Sequence, residues 1–149
     1  MTKLKAGDKA PLFSGTDQQG NPFDLKKALS KKNVLYFYPK DNTPACTAQA
    51  CSLRDHYKKF QSAGYDIIGI STDSVKKHQN FIKKYNLPFT LISDPDHLIC
   101  DQYGVWGEKM LFGRKYMGII RTTFVLNEKG VIQDIIDKVD TANHAGQLL

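Results

Sequence analysis

The sequence predicts an α/β fold in which a mixed central sheet is flanked by helices. Short apolar runs recur along the chain, stretches of helical period separate the first of them, and a turn signal separates the last two. Alternating strands and helices imply parallel strands, whereas two strands joined by a short turn are antiparallel. The length of 149 residues, without a linker, repeat or low-complexity tract, indicates one domain covering 1–149.

Each element follows from a local pattern. Gln19-Gly20-Asn21 marks the turn of a small N-terminal β-hairpin, and NEKG (127–130) marks the turn between the last two strands. The segment with Trp106 and Phe112 is expected to pack as a loop before Arg121 or to rim a pocket, and the chain should close with a short helix. The other predicted strands and helices are 34–38, 45–62, 66–71, 74–85, 89–92, 95–103, 122–126 and 131–136.

Composition and charge exclude several classes of function. Apolar residues make up 41% of the chain and charged residues 24%, values typical of a globular protein and not of a disordered one. The net charge of +6 comes from lysines in scattered doublets, so we expect no nucleic-acid partner. Neither a signal peptide nor a membrane-spanning run is visible, which predicts a cytoplasmic protein without a membrane partner.

Two of the three cysteines, Cys46 and Cys51, stand five positions apart behind a predicted strand. Pro44 favours the first turn of a helix, so Cys46 should lie where free N–H groups and the helix dipole favour a thiolate. This place between strand and helix should also expose the sulfur at the carboxyl end of the sheet. In a complete helix the two α-carbons would be about 8.6 Å apart, beyond the reach of a disulfide.

Other interpretations of the cysteine pair fit less well. Structural zinc sites need cysteines closer in sequence and a second pair of ligands, so we expect no metal. A thioredoxin-type dithiol uses Cys-x-x-Cys, which this chain lacks. Two functional alternatives stay open, a thiol-disulfide reductase and a redox sensor or holdase.

The residues around Cys46 resemble a known active site. Pro39, Thr43 and Cys46 form the pattern P-x-x-x-T-x-x-C, which is similar to the signature of the peroxiredoxins. The stretch FYPKDNTPACTAQAC (37–51) resembles the bacterioferritin comigratory protein, or PrxQ, group of that family, and the similarity continues through GISTDS, LPFTLISDPD, YGVWGEK and GRKYMGIIRTTFVLNEKG.

The resemblance implies a thioredoxin-like fold and a peroxidase without a cofactor, active on hydrogen peroxide and alkyl hydroperoxides. By it, Cys46 forms a sulfenic acid, Cys51 resolves that acid as an intramolecular disulfide, and thioredoxin or a similar dithiol protein reduces the disulfide. It implies that Thr43 binds thiolate and substrate, Pro39 shields the pocket and Arg121 stabilises charge. An internal resolving cysteine and the family likeness both favour a monomer that serves antioxidant defence.

Each of these residues also has a plainer interpretation. Pro39 could end a strand, Thr43 could cap a helix, and Arg121 could form an ordinary salt bridge. The chain also departs from the family pattern, because Ala45 and Gln49 stand where many members have glycine and glutamate. Arg54 matches the group and is expected to position the helix or the thiolate.

The third cysteine, Cys100, belongs to no motif. Its neighbours Leu98, Ile99 and Tyr103 predict that it packs as a small apolar residue on a short helix. The alternative is a spare resolving thiol.

Overall fold

A seven-stranded mixed sheet forms the centre of the structure, a computed structural model that describes residues 2–149. The strand order is β2-β1-β5-β4-β3-β8-β9, with β3, β4 and β5 parallel and the other pairs antiparallel. The predicted mixed sheet, the N-terminal hairpin β1–β2 and the C-terminal hairpin β8–β9 are confirmed. The seven strands are β1 Ser14–Thr16, β2 Pro22–Asp24, β3 Lys32–Phe37, β4 Tyr65–Ser71, β5 Thr90–Ser93, β8 Thr122–Leu126 and β9 Ile132–Ile136.

Short and medium helices connect or cover these strands. Pro44 stands at the start of the second of them, and the Ser74 hydroxyl caps the fourth by accepting from Lys77 N–H. The sequence did not indicate the first helix, and the helix predicted at 95–103 is shorter than expected. The helices are α1 Leu25–Ala28, α2 Pro44–Asp55, α3 Tyr57–Ser62, α4 Val75–Tyr85, α5 Leu98–Gln102 and α6 His144–Leu148, the last preceded by a 3-10 turn Thr141–Asn143.

The predicted continuous helix 45–62 is wrong, because it breaks at His56. The His56 ring Nδ1 lies 2.9 Å from the Ser52 carbonyl oxygen, the acceptor that the His56 backbone N–H would use in an unbroken helix. That N–H bonds instead to the Leu53 carbonyl oxygen, so α2 ends at Asp55 and α3 begins at Tyr57. The periodicity of apolar residues cannot show that a side chain competes with the backbone for a carbonyl acceptor.

The predicted loop around Trp106 is also wrong, since this segment forms a two-stranded hairpin outside the main sheet. Strands β6 Trp106–Leu111 and β7 Arg114–Ile119 pair in antiparallel register and join through Phe112 and Gly113. Most of its side chains are exposed or half-buried, so it lacks the alternation that marks a strand on a core. The hairpin leads directly into Arg121 and β8.

The core occupies both faces of the sheet. Side chains alternate along β3, so Leu35 and Phe37 pack with α1 and α5, whereas Tyr36 and Tyr38 pack with α2 and α4. Cys46 belongs to the second cluster. No helix among the described residues is long and apolar enough to cross a membrane.

Candidate active site

Cys46 lies in the first turn of α2, as predicted, but it is not exposed. Only 1% of the residue is accessible, because Cys46 packs into the core cluster on its face of the sheet and Arg121 contacts its sulfur. The residue instead borders a pocket of about 530 Å³ that opens between α2 and the hairpin. Its walls are Pro39, Lys40, Thr43, Cys46, Thr72, Trp106, Lys109, Leu111, Tyr116, Met117, Gly118, Ile119 and Arg121.

Arg121 joins the pocket from the start of β8, 75 positions from Cys46 in sequence. Its Nη2 donates to the Cys46 Sγ at 3.2 Å, and its Nη1 donates to the Gln49 Oε1 at 2.6 Å. The guanidinium is always charged, so this contact places a full positive charge against the sulfur. The structure therefore brings together the cysteine and the arginine that the sequence identified.

Gln49 holds Arg121 without neutralising it. The side chain is fully buried one turn after Cys46, and its Oε1 is a neutral acceptor. Its Nε2 has no hydrogen-bond partner among the described residues. A glutamate here would pair with the guanidinium, whereas glutamine leaves the charge of Arg121 directed at the sulfur.

Thr43 and Pro39 border the same pocket from the loop between β3 and α2. Thr43 holds the N-cap position, but its hydroxyl does not cap the helix and donates to the Lys40 carbonyl oxygen at 2.8 Å. A hydroxyl has one proton, so Thr43 Oγ can only accept further hydrogen bonds. Among residues 2–149, the N–H groups of Ala45 and Cys46 donate to no protein acceptor, which leaves the helix start open to an anion.

Cys51 stands on the same helix as Cys46, and both are free thiols. Their separation on a regular helix, about 8.6 Å between α-carbons, excludes a bond while α2 is folded. The second half of α2 is fixed to its surroundings. Ser52 Oγ accepts from Ala145 N–H at 3.1 Å, and Arg54 Nη1 donates to the Tyr85 carbonyl oxygen at 2.8 Å. Arg54 thus holds α2 against the end of α4 and lies outside the pocket lining.

A buried polar cluster that no sequence pattern indicated supports the loop before α2. Asp41 accepts from the Tyr38 hydroxyl at 2.6 Å and lies 2.7 Å from His78 Nδ1. The other ring nitrogen of His78 is 3.1 Å from the Ile92 carbonyl, which can only accept, so that nitrogen carries a proton. Nδ1 and the Asp41 carboxyl oxygen thus form a short contact that joins α4 to the loop before α2. Asp73 adds an acceptor for Asp41 N–H at 2.7 Å.

Lys109 is a second cation beside the pocket that the sequence did not single out. Its Nζ donates to the Ile119 carbonyl oxygen at 2.8 Å, which ties β6 to the end of β7. Burial, and then the charge of Arg121, lower the pKa of Lys109. Only the hairpin, invisible in the sequence, places this side chain near the guanidinium.

The third cysteine lies in the other core cluster. Cys100 is fully buried, and burial, followed by a hydrogen bond with Asp94, raises the pKa of its thiol. The expectation that Cys100 packs as a small apolar residue agrees with this placement in the core. Within residues 2–149, no group of three or more His, Cys, Asp or Glu is arranged to hold a metal ion.

Comparison with known proteins gives consistent results. The model of the AhpC/TSA family matches residues 6–135. The chain is 48% identical to a putative peroxiredoxin bcp of Coxiella burnetii, covering 98% of this chain and 97% of that protein. It is 47% identical to the peroxiredoxin Bcp of Escherichia coli K12, covering 97% and 92%.

A solved structure is similar over nearly the full length. The bacterioferritin comigratory protein of Xanthomonas campestris, studied for its alkyl peroxide reduction activity, superposes with a TM-score of 0.86 at 33% identity. The match covers 99% of this chain and 94% of that one.

Proposed function

We propose, from the premise that this chain belongs to the AhpC/TSA family and to its bacterioferritin comigratory protein (PrxQ) group of peroxiredoxins, that Cys46 reduces hydrogen peroxide and alkyl hydroperoxides. The sheet and its helices form the thioredoxin-like fold of those peroxiredoxins, which are thiol peroxidases. The observation that carries the proposal is the 3.2 Å contact between Arg121 Nη2 and Cys46 Sγ beside a pocket.

The first step is attack of the Cys46 thiolate on a peroxide oxygen. A sulfur–oxygen bond forms, the oxygen–oxygen bond breaks, and the other oxygen leaves as hydroxide or alkoxide, which takes a proton to become water or alcohol. The sulfur is oxidised to a sulfenic acid and the peroxide is reduced. Arg121 faces the sulfur with a full positive charge and stabilises the charge that builds on the leaving oxygen.

The loop before α2 orients the peroxide. Because the Thr43 hydroxyl already donates its proton to the Lys40 carbonyl oxygen, it accepts the hydrogen of the bound hydroperoxide. The open N–H groups of Ala45 and Cys46 supply donors to the reacting oxygens. Pro39 forms a wall of the pocket that limits the access of water to the sulfur.

The second step needs a change in α2. The Cys51 thiol displaces water from the sulfenic acid, which forms an intramolecular disulfide. Since the two cysteines are too far apart on the folded helix, the first turns of α2 must unwind. The Ser52 and Arg54 contacts keep the rest of the helix in place. Thioredoxin or a similar dithiol protein then restores both thiols.

Peroxide reduction and disulfide formation require one chain and no cofactor. We assign it to a monomer, because Cys51 lies on the same helix as Cys46 and no partner has to supply a thiol. A reducing cytoplasm suits two cysteines that must return to thiols after each turnover. The role is then antioxidant defence and maintenance of the redox balance of the cell.

Peroxide consumption tests the proposal. The reduced protein is mixed with hydrogen peroxide or an alkyl hydroperoxide, with thioredoxin, its reductase and NADPH as the source of electrons. We expect repeated turnover with NADPH oxidation. Consumption no faster than that by free cysteine would exclude a peroxidase, oxidation without turnover would favour a sensor, and reduction of insulin disulfides without peroxide would favour a reductase.

A further inference from the structure

The β6–β7 hairpin carries most of the apolar surface that the molecule exposes. Of eight large apolar side chains exposed among the described residues, five lie on this one hairpin. They are Met110, Leu111, Phe112, Tyr116 and Met117. The other three, Leu12, Leu98 and Leu149, stand on separate elements. A concentration of apolar side chains on one protruding element marks an interaction surface.

Phe112 at the tip of the hairpin is not explained by folding. Leu111 pairs with Arg114, so Phe112 and Gly113 form a two-residue turn with φ values of 51° and 77°. Turns with positive φ at both central positions favour Asn-Gly, and a bulky residue there is strained. The Phe112 residue is also 96% exposed, so no packing offsets that strain. Its side chain therefore serves something outside the chain.

The charges around the tip select the kind of partner. The hairpin contains three basic residues, Lys109, Arg114 and Lys115, and one acidic residue, Glu108, which pairs with Lys115 at 3.6 Å, so its net charge is +2. A second copy of this chain is a poor partner, because two-fold pairing of the tips would bring their basic side chains together. A flat surface that is negatively charged outside and apolar within matches both features, and an anionic lipid bilayer has that character.

The apolar surface is continuous with the pocket that holds Cys46. Leu111, Tyr116 and Met117 are exposed on the hairpin and also line that pocket. An apolar molecule that leaves a surface beneath the tip thus meets apolar side chains until it reaches the sulfur. Such a route suits a hydroperoxide formed within a bilayer, which is sparingly soluble in water.

We propose that the tip of the β6–β7 hairpin docks on anionic membranes, with Phe112 inserted at the lipid interface, so that lipid hydroperoxides pass from the bilayer to Cys46. The choice of substrate rests on the proposed peroxidase function, whereas the docking does not. The sequence predicted no membrane partner because it identified neither the hairpin nor the positive φ of Phe112. Binding is peripheral and reversible, since a single apolar tip with a few cations gives limited affinity.

Vesicle sedimentation tests the docking. The full-length reduced protein is mixed with sucrose-loaded vesicles of phosphatidylcholine, alone or with added phosphatidylglycerol, and the pelleted fraction is measured over a range of salt. We expect binding to the anionic vesicles that weakens as salt rises. Phe112→Asn suits the positive φ of the turn and removes the apolar side chain, so it should lower the partition coefficient about tenfold. Leu98→Asn makes a similar change at an exposed apolar residue outside the hairpin and should have no effect.

Three results would overturn the docking: no binding of the wild type, equal binding of Phe112→Asn, or a hairpin-dependent dimer. The last would appear in ultracentrifugation as a wild-type dimer and a monomeric Phe112→Asn, and would assign the surface to a second copy. Hydrogen peroxide consumption by Phe112→Asn should equal that of the wild type. A wild type that binds vesicles but consumes no peroxide would exclude the peroxidase and leave the docking intact.

Discussion

Cys46 and Cys100 occupy equivalent positions in two helices and are set up for opposite chemistry. Each is the third residue of its helix, α2 or α5, and each is almost completely buried. At Cys100, the Asp94 carboxylate accepts from Ile99 N–H at 3.2 Å and from Cys100 N–H at 2.9 Å. The free N–H groups in the first turn of α5 are therefore already bound to an anion, the Asp94 carboxylate.

The first turn of α2 lacks any such anion. Its N–H groups are open, the Thr43 hydroxyl bonds elsewhere, and the group facing the sulfur is the cation of Arg121. Cys100 faces a carboxylate, which together with burial raises the pKa of its thiol. A place in the first turn of a helix thus does not decide whether a cysteine reacts. The charge that faces the sulfur and the presence of a pocket decide it.

Exchange of each cysteine for serine should give the largest contrast. Cys46→Ser should abolish rapid peroxide consumption, because hydroxyl oxygen cannot form the sulfenic acid. Cys100→Ser should keep the wild-type rate, because its thiol stays protonated and faces no pocket. Stopped-flow measurement with hydrogen peroxide compares the two. If the Cys100→Ser variant folded but consumed peroxide much more slowly than the wild type, the proposed difference between the two sites would be contradicted.

Arg121→Ala should slow peroxide attack by about 100- to 1000-fold, as expected for loss of a donor to developing charge. The effect should fall on the second-order rate constant more than on the free energy of unfolding. Arg114→Ala, which removes an exposed cation from the hairpin, is the matched control. Equal rates for Arg121→Ala and the wild type would show that the 3.2 Å contact has no part in catalysis.

The buried cluster at Asp41 should matter for stability and, less strongly, for rate. His78→Asn removes the partner of a carboxylate that is 2% exposed, and loss of one member of a buried pair costs about 3–5 kcal/mol. Displacement of the 39–43 loop should then slow the peroxide reaction about tenfold. Urea unfolding and stopped-flow kinetics measure the two effects.

His97→Asn provides the control for His78→Asn. His97 precedes α5 and forms an exposed pair with Asp101 on that helix. Loss of this pair should change the free energy of unfolding by less than about 1 kcal/mol. If both variants changed the free energy of unfolding by the same small amount, the cluster would not support the loop before α2.

Gln49→Glu should have the smallest effect. The new carboxylate would lie beside the Arg121 nitrogen that Gln49 now contacts and would compete with the Cys46 sulfur for the charge of the guanidinium. We expect peroxide attack to slow by about threefold. Gln102→Glu makes the same change at an exposed position of α5 and should leave the rate unaltered. A faster Gln49→Glu enzyme would contradict the electrostatic account of this position.

Local patterns in the sequence were sufficient for most strands and for the placement of Cys46. Pro44 behind an apolar run indicated the helix start, and both hairpin turns in the main sheet carried glycine at the expected place. The likeness to peroxiredoxins added Arg121, whose contact with Cys46 no local pattern could indicate across 75 positions.

The remaining features depend on contacts that leave no local trace. The His78 and Asp41 pair joins α4 to a loop 37 positions away, and α2 ends because a ring nitrogen takes the Ser52 carbonyl. The β6–β7 hairpin was not predicted because most of its side chains stay exposed or half-buried and it turns through Phe-Gly instead of Asn-Gly. Cys46 is buried when exposure was expected, because it packs into the core cluster beside β3.

Intact-mass spectrometry after one equivalent of hydrogen peroxide tests most directly that Cys46 reacts and that Cys51 resolves the product. The wild type should lose two hydrogens, about 2 Da, as the disulfide forms. Cys51→Ser should gain one oxygen, about 16 Da, at Cys46, and Cys46→Ser should show neither change. Formation of an intramolecular disulfide in Cys51→Ser would make Cys100 the resolving thiol and would contradict the contrast between the two helices.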